Sequence, residues 1–262
     1  MFRSLYTAAS GMTAQQMNLD NVANNLSNAN TAGFRKRRVQ FQDMVYQSVV
    51  TPGAAATQQT VSAGLQIGLG TRAAATEVLQ SQGDFQQTGN PLDLAIQGNG
   101  YFQVLQQDGQ IAYTRSGNFH LDAQGNIVTA DGNALQPAIT VPADATSITI
   151  GTDGTVSITQ PGQTASQQIG QIQLATFPNP GGLNSIGSNL LLPTSSSGDA
   201  ITGNPGGSEG LGTLVQGSLE QSNVNTVEEF IQMILAQRSY EANSQVAKAA
   251  DQMFQETNQL GK

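Results

Sequence analysis

The sequence predicts an α+β protein in which long N- and C-terminal helices, paired in coiled-coil fashion, accompany a central domain that is mainly β. Three observations predict it. Leu5, Met12, Leu19 and Leu26 recur every seven residues near the start, the spacing that holds one helix face against a partner. Val227, Ile231, Leu235, Ala242, Val246, Ala249, Met253 and Leu260 advance in steps of three, four and seven near the end. Between these repeats, Asn-Gly, Asp-Gly and Gly-Asn pairs separate short β-branched and aromatic runs, a pattern of hairpin turns.

The first helix is expected from about Ser4 to Asn30, with Val22 filling the second seam position and Gly33 beyond, able to take the left-handed conformation that closes a helix. Residues 1–33 thus form an N-terminal helical segment. Asn21, Asn24, Asn25, Asn28 and Asn30 are unusual within a helix, because the Asn amide competes for backbone hydrogen bonds. Two readings stand: amide bonding between packed subunits, or a wet surface with a fraying end.

Residues 34–90 read as a linker or extended region. Phe41 to Tyr46 suits an extended or short helical piece, residues 47–64 a long loop around Pro52-Gly53-Ala54-Ala55-Ala56, and Gly68 to Leu79 and Phe85 to Thr88 further β-like runs. Residues 91–212 form the β-rich domain and its return. Strands are expected over Leu92–Ile96, Tyr101–Leu105, Phe119–Leu121, Ile127–Thr129, Ile148–Ile150, Val156–Ile158 and Ile172–Phe177, with an irregular path from Pro178 to Gly212. Residues 213–262 supply a return segment and the C-terminal helix. Its start is expected at Thr226-Val227-Glu228-Glu229, a capping box in which Thr226 accepts from the Glu229 N–H and Glu229 reaches back.

With 38% hydrophobic but only 5% aromatic residues and no Trp, the core should be modest for this length. Only 11% of residues are charged, so amides and hydroxyls cover much of the surface. The net charge of −8 is unevenly placed: residues 1–46 carry +3, largely through Arg35-Lys36-Arg37-Arg38, and the remainder −11. That basic run reads either as a collar meeting an acidic neighbour or as a solvated run after the helix. The acidic total, without aromatics interleaved in the basic run, disfavours nucleic acid. No window has the apolar length of a membrane span, and Gln15, Gln16, Asn18 and Asp20 interrupt any signal-peptide core.

Chemistry is sparse. The absence of cysteine removes thiol nucleophiles, disulfides and thiolate metal sites. His120 is the only histidine, so no imidazole pair can bind a metal, and Ser116-Gly117-Asn118 lacks the Gly-x-Ser-x-Gly elbow. Gly98-Asn99-Gly100 and Gly68-Leu69-Gly70 complete no phosphate loop, and Asp122 to Asn126 has too few carboxylates for a calcium loop. No catalytic residue, cofactor or metal is expected. The terminal seams point instead to other subunits, with the termini gaining their order as copies pack side by side.

Specific stretches resemble a known family. Leu19-Asp20-Asn21-Val22-Ala23-Asn24-Asn25-Leu26-Ser27-Asn28-Ala29-Asn30-Thr31-Ala32-Gly33-Phe34 resembles the N-terminal motif of bacterial flagellar rod and hook proteins. Ser222-Asn223-Val224-Asn225 with Met233 to Asn243, including Gln237, Arg238, Tyr240 and Glu241, is similar to the C-terminal motif. Asn90 to Phe102 and Tyr113 to Phe119 match in the middle. Phe41 to Gly53 and Gly68-Leu69-Gly70-Thr71-Arg72 are most similar to the distal-rod members.

The resemblance implies a non-enzymatic structural subunit that self-assembles into a rigid helical tube. The terminal helices would form an inner layer around the export channel and the β domain an outer layer, and the tube would carry torque from motor to hook. It implies many copies of the same chain as partners, together with proximal rod proteins, hook or hook-junction proteins and the rings of the peptidoglycan and outer membrane. It also implies a place in the basal body, from periplasm to outer membrane, reached by export without a cleaved signal. The alternatives are a proximal-rod or hook subunit of the same family, a secreted polysaccharide-acting enzyme, and an adhesin.

Overall fold

A computed structural model describes residues 2–50, 55–56, 59–60, 64–162, 165–207 and 210–260. Two compact units emerge, one from Met1–Ser27, Arg37–Leu79 and Asn225–Lys262, the other from Asn28–Lys36 and Gln80–Val224.

In the first unit, helix α1 (Phe2–Ser27) packs against helix α2 (Thr226–Leu260). They run antiparallel, because Asn25 meets Glu229 and Gly11 lies against Asn243. The close faces carry small and polar residues. Ala8, Ala14, Val22 and Asn25 are buried on α1, and Glu229, Ala236 and Ala250 on α2. A Cβ on Gly11 would stand 2.8 Å from the Asn243 amide, so glycine permits the approach at that level.

The same unit contains a β ribbon. Strand Arg37–Asp43 pairs antiparallel with Thr71–Val78, with a register shift at Gln40/Phe41, and α1 packs against both. Tyr46–Val50 then pairs with Leu65–Gly68, and Ala55–Ala56 with Gln59–Thr60. The expected loop over 47–64 therefore begins as the continuation of a strand that starts at Tyr46, the aromatic Tyr46 and β-branched Val49 suiting a pleated backbone. Pro52, Gly53, Ala54 and residues 57–58 and 61–63 lie outside the described residues.

Both helix boundaries differ from expectation for local reasons. α1 stops at Ser27 rather than Asn30, because Asn28 opens a turn: its carbonyl accepts from the Thr31 N–H at 3.1 Å and its Oδ1 from the Thr31 hydroxyl at 3.2 Å. Gly33 does take a left-handed φ of 70°, but well past the helix. A Cβ there would sit 2.8 Å from the Arg115 carbonyl carbon, so its role is close approach to the Arg115–Ser116 backbone. At α2 the cap is Asn225, whose Oδ1 accepts from the N–H of Val227 at 3.0 Å and of Glu228 at 3.4 Å. The capping box does not form, because the Glu229 carboxylate turns to Asn25 instead.

The second unit is built on Tyr101–Leu105, a strand paired with Ile111–Thr114, Ala134–Gln136 and Leu174–Thr176. Leu94–Gln97 pairs separately with Thr213–Gln216, and Ser147–Ile150, Thr155–Thr159 and Gln167–Gln171 form a three-stranded sheet. Their inner faces enclose Phe102 and Phe119, stacked edge to face at 5.1 Å, with Leu94, Ile96, Val104, Leu135, Ile172 and Leu214. The expected irregular path from Pro178 to Gly212 contains the strands Asn184–Gly187, Leu190–Leu192 and Ile201–Gly203. Ser188 and Asn189, both at positive φ, make the tight turn between the first two.

Gly33→Ala should lower the stability of the second unit by about 1 to 3 kcal/mol, through left-handed strain and displacement of the Arg115 backbone. Urea unfolding followed by tyrosine fluorescence measures it, and an unchanged midpoint would contradict the close-approach role.

Candidate functional site

Two buried polar locks hold the backbone, one within each unit. In the first unit, Asn25 is 1% exposed. Its Oδ1 accepts from the Arg37 N–H at 3.0 Å, and its Nδ2 donates to the Arg37 carbonyl at 2.8 Å and to Glu229 Oε2 at 3.1 Å. The amide thus imitates a strand partner for Arg37 while joining α1 to the first turn of α2. Asn21 donates to the same Arg37 carbonyl at 2.8 Å. These two asparagines spend their amides within the chain, which settles their part of the unusual Asn run differently from either sequence reading.

In the second unit, Glu220 lies between two arginines. Its Oε2 accepts from Arg115 Nε at 2.6 Å, and its Oε1 from Arg35 Nη2 at 2.8 Å and the Gly83 N–H at 3.1 Å. Arg115 donates further to the carbonyls of Ile96, Gly98 and Gly100 at 2.6–2.7 Å, and Arg35 to that of Ser81. Burial draws the Arg35 pKa below its ordinary value, an effect that Glu220 opposes and Arg115 reinforces. Burial likewise pushes the neighbouring Tyr101 phenol up, against the pull of both arginines. Beside this lock, Asn223 accepts from the Lys36 N–H at 2.6 Å and donates to the Ser81 carbonyl at 2.8 Å.

The basic run is therefore not one collar. Arg35 is internal, the backbones of Lys36 and Arg37 are gripped by Asn223 and Asn25, and Arg38 makes an exposed pair with Glu77 at 2.8 Å.

The expected seam residues fall into two groups. On α1, Val22 is buried and Leu5, Met12, Leu19 and Leu26 are half-buried. On α2, Val227, Ile231, Leu235, Val246 and Met253 are each at least 50% exposed, and Ala242 and Ala249 are exposed as well. The side chain of Leu260 lies outside the described residues. Phe230 and Ile234 add to the exposed α2 surface at 52% and 56%. The repeat at the end of the sequence thus does not face α1. α2 meets α1 through Glu229, Ala236, Asn243 and Ala250 and leaves Val227, Phe230, Ile231, Ile234, Leu235, Val246 and Met253 exposed, while Met233 and Phe254 are half-buried.

Among the motif residues, Asn28, Thr31, Gly33, Phe34 and Asn223 hold the connection near the Glu220 lock through the bonds above and the Phe34 N–H to Thr31 carbonyl bond at 3.2 Å. Asn24, Gln237, Tyr240 and Glu241 are exposed. Arg238 is exposed too and pairs with Glu241 at 3.2 Å along α2. Asn243 lies against Gly11. Glu220, Arg115 and Glu229 escaped the sequence reading as partners. The available signal was a charged residue inside an otherwise uncharged β run, Tyr113-Thr114-Arg115-Ser116 and Gly217-Ser218-Leu219-Glu220.

Two carboxylates considered for chemistry hold turns. Asp93 accepts from Thr88 Oγ1 at 2.6 Å and Asn90 Nδ2 at 2.9 Å, and Asp122 closes its turn by accepting from the N–H groups of Gln124 and Asn126. His120 is an exposed strand residue.

Glu220→Gln should destabilise the second unit by about 3 to 5 kcal/mol, because two guanidinium groups would stay buried without their counter-charge. Arg38→Ala, at the exposed pair, should leave the urea midpoint unchanged. Equal effects of the two would contradict the assignment.

Three families match parts of the chain. Residues 5–35 match the family described as "Flagella basal body rod protein", residues 95–158 "Flagellar hook protein FlgE/F/G D1 domain", and residues 215–260 "Flagellar basal body rod FlgEFG protein C-terminal". The flagellar basal-body rod protein FlgG of Caulobacter vibrioides is 48% identical over 98% of this chain and 99% of its own length. That of Borreliella burgdorferi is 46% identical over 99% of each. The hook protein FlgE of the latter organism is 40% identical over only 52% of this chain and 31% of its own length. With its terminal helices, its buried locks and a full-length match to rod rather than hook proteins, the chain belongs to the FlgG family of flagellar basal-body rod proteins, the non-enzymatic structural subunits of the distal rod.

Proposed function

We propose that this subunit polymerises into a rigid helical tube whose inner layer is made by the α1–α2 pair, whose outer layer is the β-rich unit, and whose bore is the export channel. The exposed apolar stripe of α2 carries this reading. Val227, Phe230, Ile231, Ile234 and Leu235 lie on neighbouring turns and keep more than half their surface in water. Covering what remains is worth about 1 kcal/mol for each side chain, so several copies packed side by side gain what one chain cannot. Neighbouring copies would also consolidate the terminal helices, whose mutual seam is rich in alanine.

The division into an inner helical domain, residues 1–33 and 213–262, an extended region, 34–90, and an outer β-rich domain, 91–212, belongs to the same proposal. So do lateral contacts from residues 47–64, whose described strands expose Val49 and Leu65 at 53% and 55%. The tube would span the periplasm to the outer membrane, meet proximal rod proteins at one end and hook or hook-junction proteins at the other, and turn within the peptidoglycan and outer-membrane rings. Export without cleavage of a signal peptide fits the polar interruptions in the first helix. In such a shaft, torque passes from copy to copy through the packed helices, and the buried locks keep each subunit from yielding.

Ile231→Asp with Leu235→Asp should match the unassembled unmodified chain by circular dichroism yet abolish tubes in electron micrographs of the purified protein. The unmodified chain should give straight tubes. Tubes from the double variant would sink the α2 assignment, and curved tubes would favour a hook-like role.

A further inference from the structure

The first unit carries a groove and a ridge of matching chemistry, and both are open in the single chain. The groove, of about 360 Å³, runs between α1 and the β ribbon. Met17, Asp20 and Asn21 line one side, and Val39 with the Ala73–Thr76 run lines the other. The ribbon side is lined mainly by the small side chains of Ala73, Ala74 and Ala75, and the one charged lining residue is Asp20, which is exposed. The ridge is on α2: Ile231, Ile234, Leu235 and Arg238 fall at i, i+3, i+4 and i+7, with the three apolar members 52–56% exposed. Such spacing is that of an amphipathic helix laid into an apolar groove. Arg238 closes the ridge with a side chain 78% exposed, in an exposed pair with Glu241 in the next turn.

We infer that the groove of one copy receives the α2 ridge of a second copy, with Ile231, Ile234 and Leu235 over the alanine floor and Arg238 against Asp20. Small residues facing large ones allow close seating, and the charges at the edge are opposite. Groove and ridge are different surfaces, so the contact is head-to-tail. It leaves a free groove at one end and a free ridge at the other, and therefore propagates an open polymer. The inference rests on the polymer proposed above and names the pair of faces that builds it.

Because the chain has no cysteine, single introduced thiols report contacts without background. Full-length Ala74→Cys and Ile234→Cys proteins are mixed, polymerised and oxidised. The expected product is a disulfide-linked dimer containing one of each, absent when Ile201→Cys on the second unit replaces Ile234→Cys. A variant that forms no tubes is replaced by its neighbour, Ala75→Cys or Ile231→Cys. Asp20→Lys and Arg238→Glu should each raise the concentration needed for tube formation about ten-fold, and the two together should restore most of it. Tubes without the crosslink, or no recovery in the double exchange, overturn this pairing and leave the polymer itself standing. Failure of the unmodified chain to form tubes overturns both.

Discussion

The Glu220 carboxylate is the constraint on which the second unit depends. It gathers Arg35 from the segment after α1, Arg115 from the end of a central strand, and the Gly83 backbone from the segment entering the unit. Two buried guanidinium groups against one carboxylate leave an excess positive charge, which is spread over the carbonyls of Ser81, Ile96, Gly98 and Gly100. A buried ion pair adds little net stability over an apolar packing of the same volume, whereas removing one partner is costly. Its effect is therefore to specify one arrangement: the segments must arrive together, or a charge is stranded.

What could be read from the sequence follows from the range of the forces involved. Strand Tyr101–Leu105 and the turns at Asp122 and Asp153 were legible because a short aromatic and β-branched run between turn pairs, and Asx hydrogen bonds, act between near neighbours. The long helices were legible for the same reason. The partner of Glu220 was not, since Arg115 is more than a hundred residues away in sequence and nothing local distinguishes a buried arginine from a solvated one. Nor was the cap of α2. Thr226 and Glu229 make a good capping box on paper, but Glu229 has a better use in Asn25, and Asn225 takes over the helix end. The strands at Asn184–Gly187 and Leu190–Leu192 were hidden by glycine, serine and asparagine, which mark turns whether or not short strands flank them.

The periodicity of α2 illustrates a different ambiguity. A heptad of large apolar residues announces that a helix face is buried but does not say by what. Here two faces compete: one of small and polar residues, Glu229, Ala236, Asn243 and Ala250, meets α1, and the one with the larger side chains stays open. Sequence reasoning weights volume and so finds the second. Packing of helices within the chain selects the first, because Gly11 and the alanines let two backbones approach more closely than leucines would. The intimate, low-volume seam shapes the subunit, and the bulkier face stays exposed in the single chain, the surface that the proposed polymer would cover.

A last consequence concerns how such a subunit would fail. Apolar cores give way gradually, since side chains can slide past one another while remaining buried. The Glu220 lock is directional instead, because a guanidinium drawn an ångström or two from its carboxylate loses hydrogen bonds that now stand at 2.6 and 2.8 Å while both charges remain buried. In the proposed shaft, the second unit should therefore resist rising twist until those bonds part and then give way abruptly, the behaviour of a brittle ceramic rather than of a ductile metal.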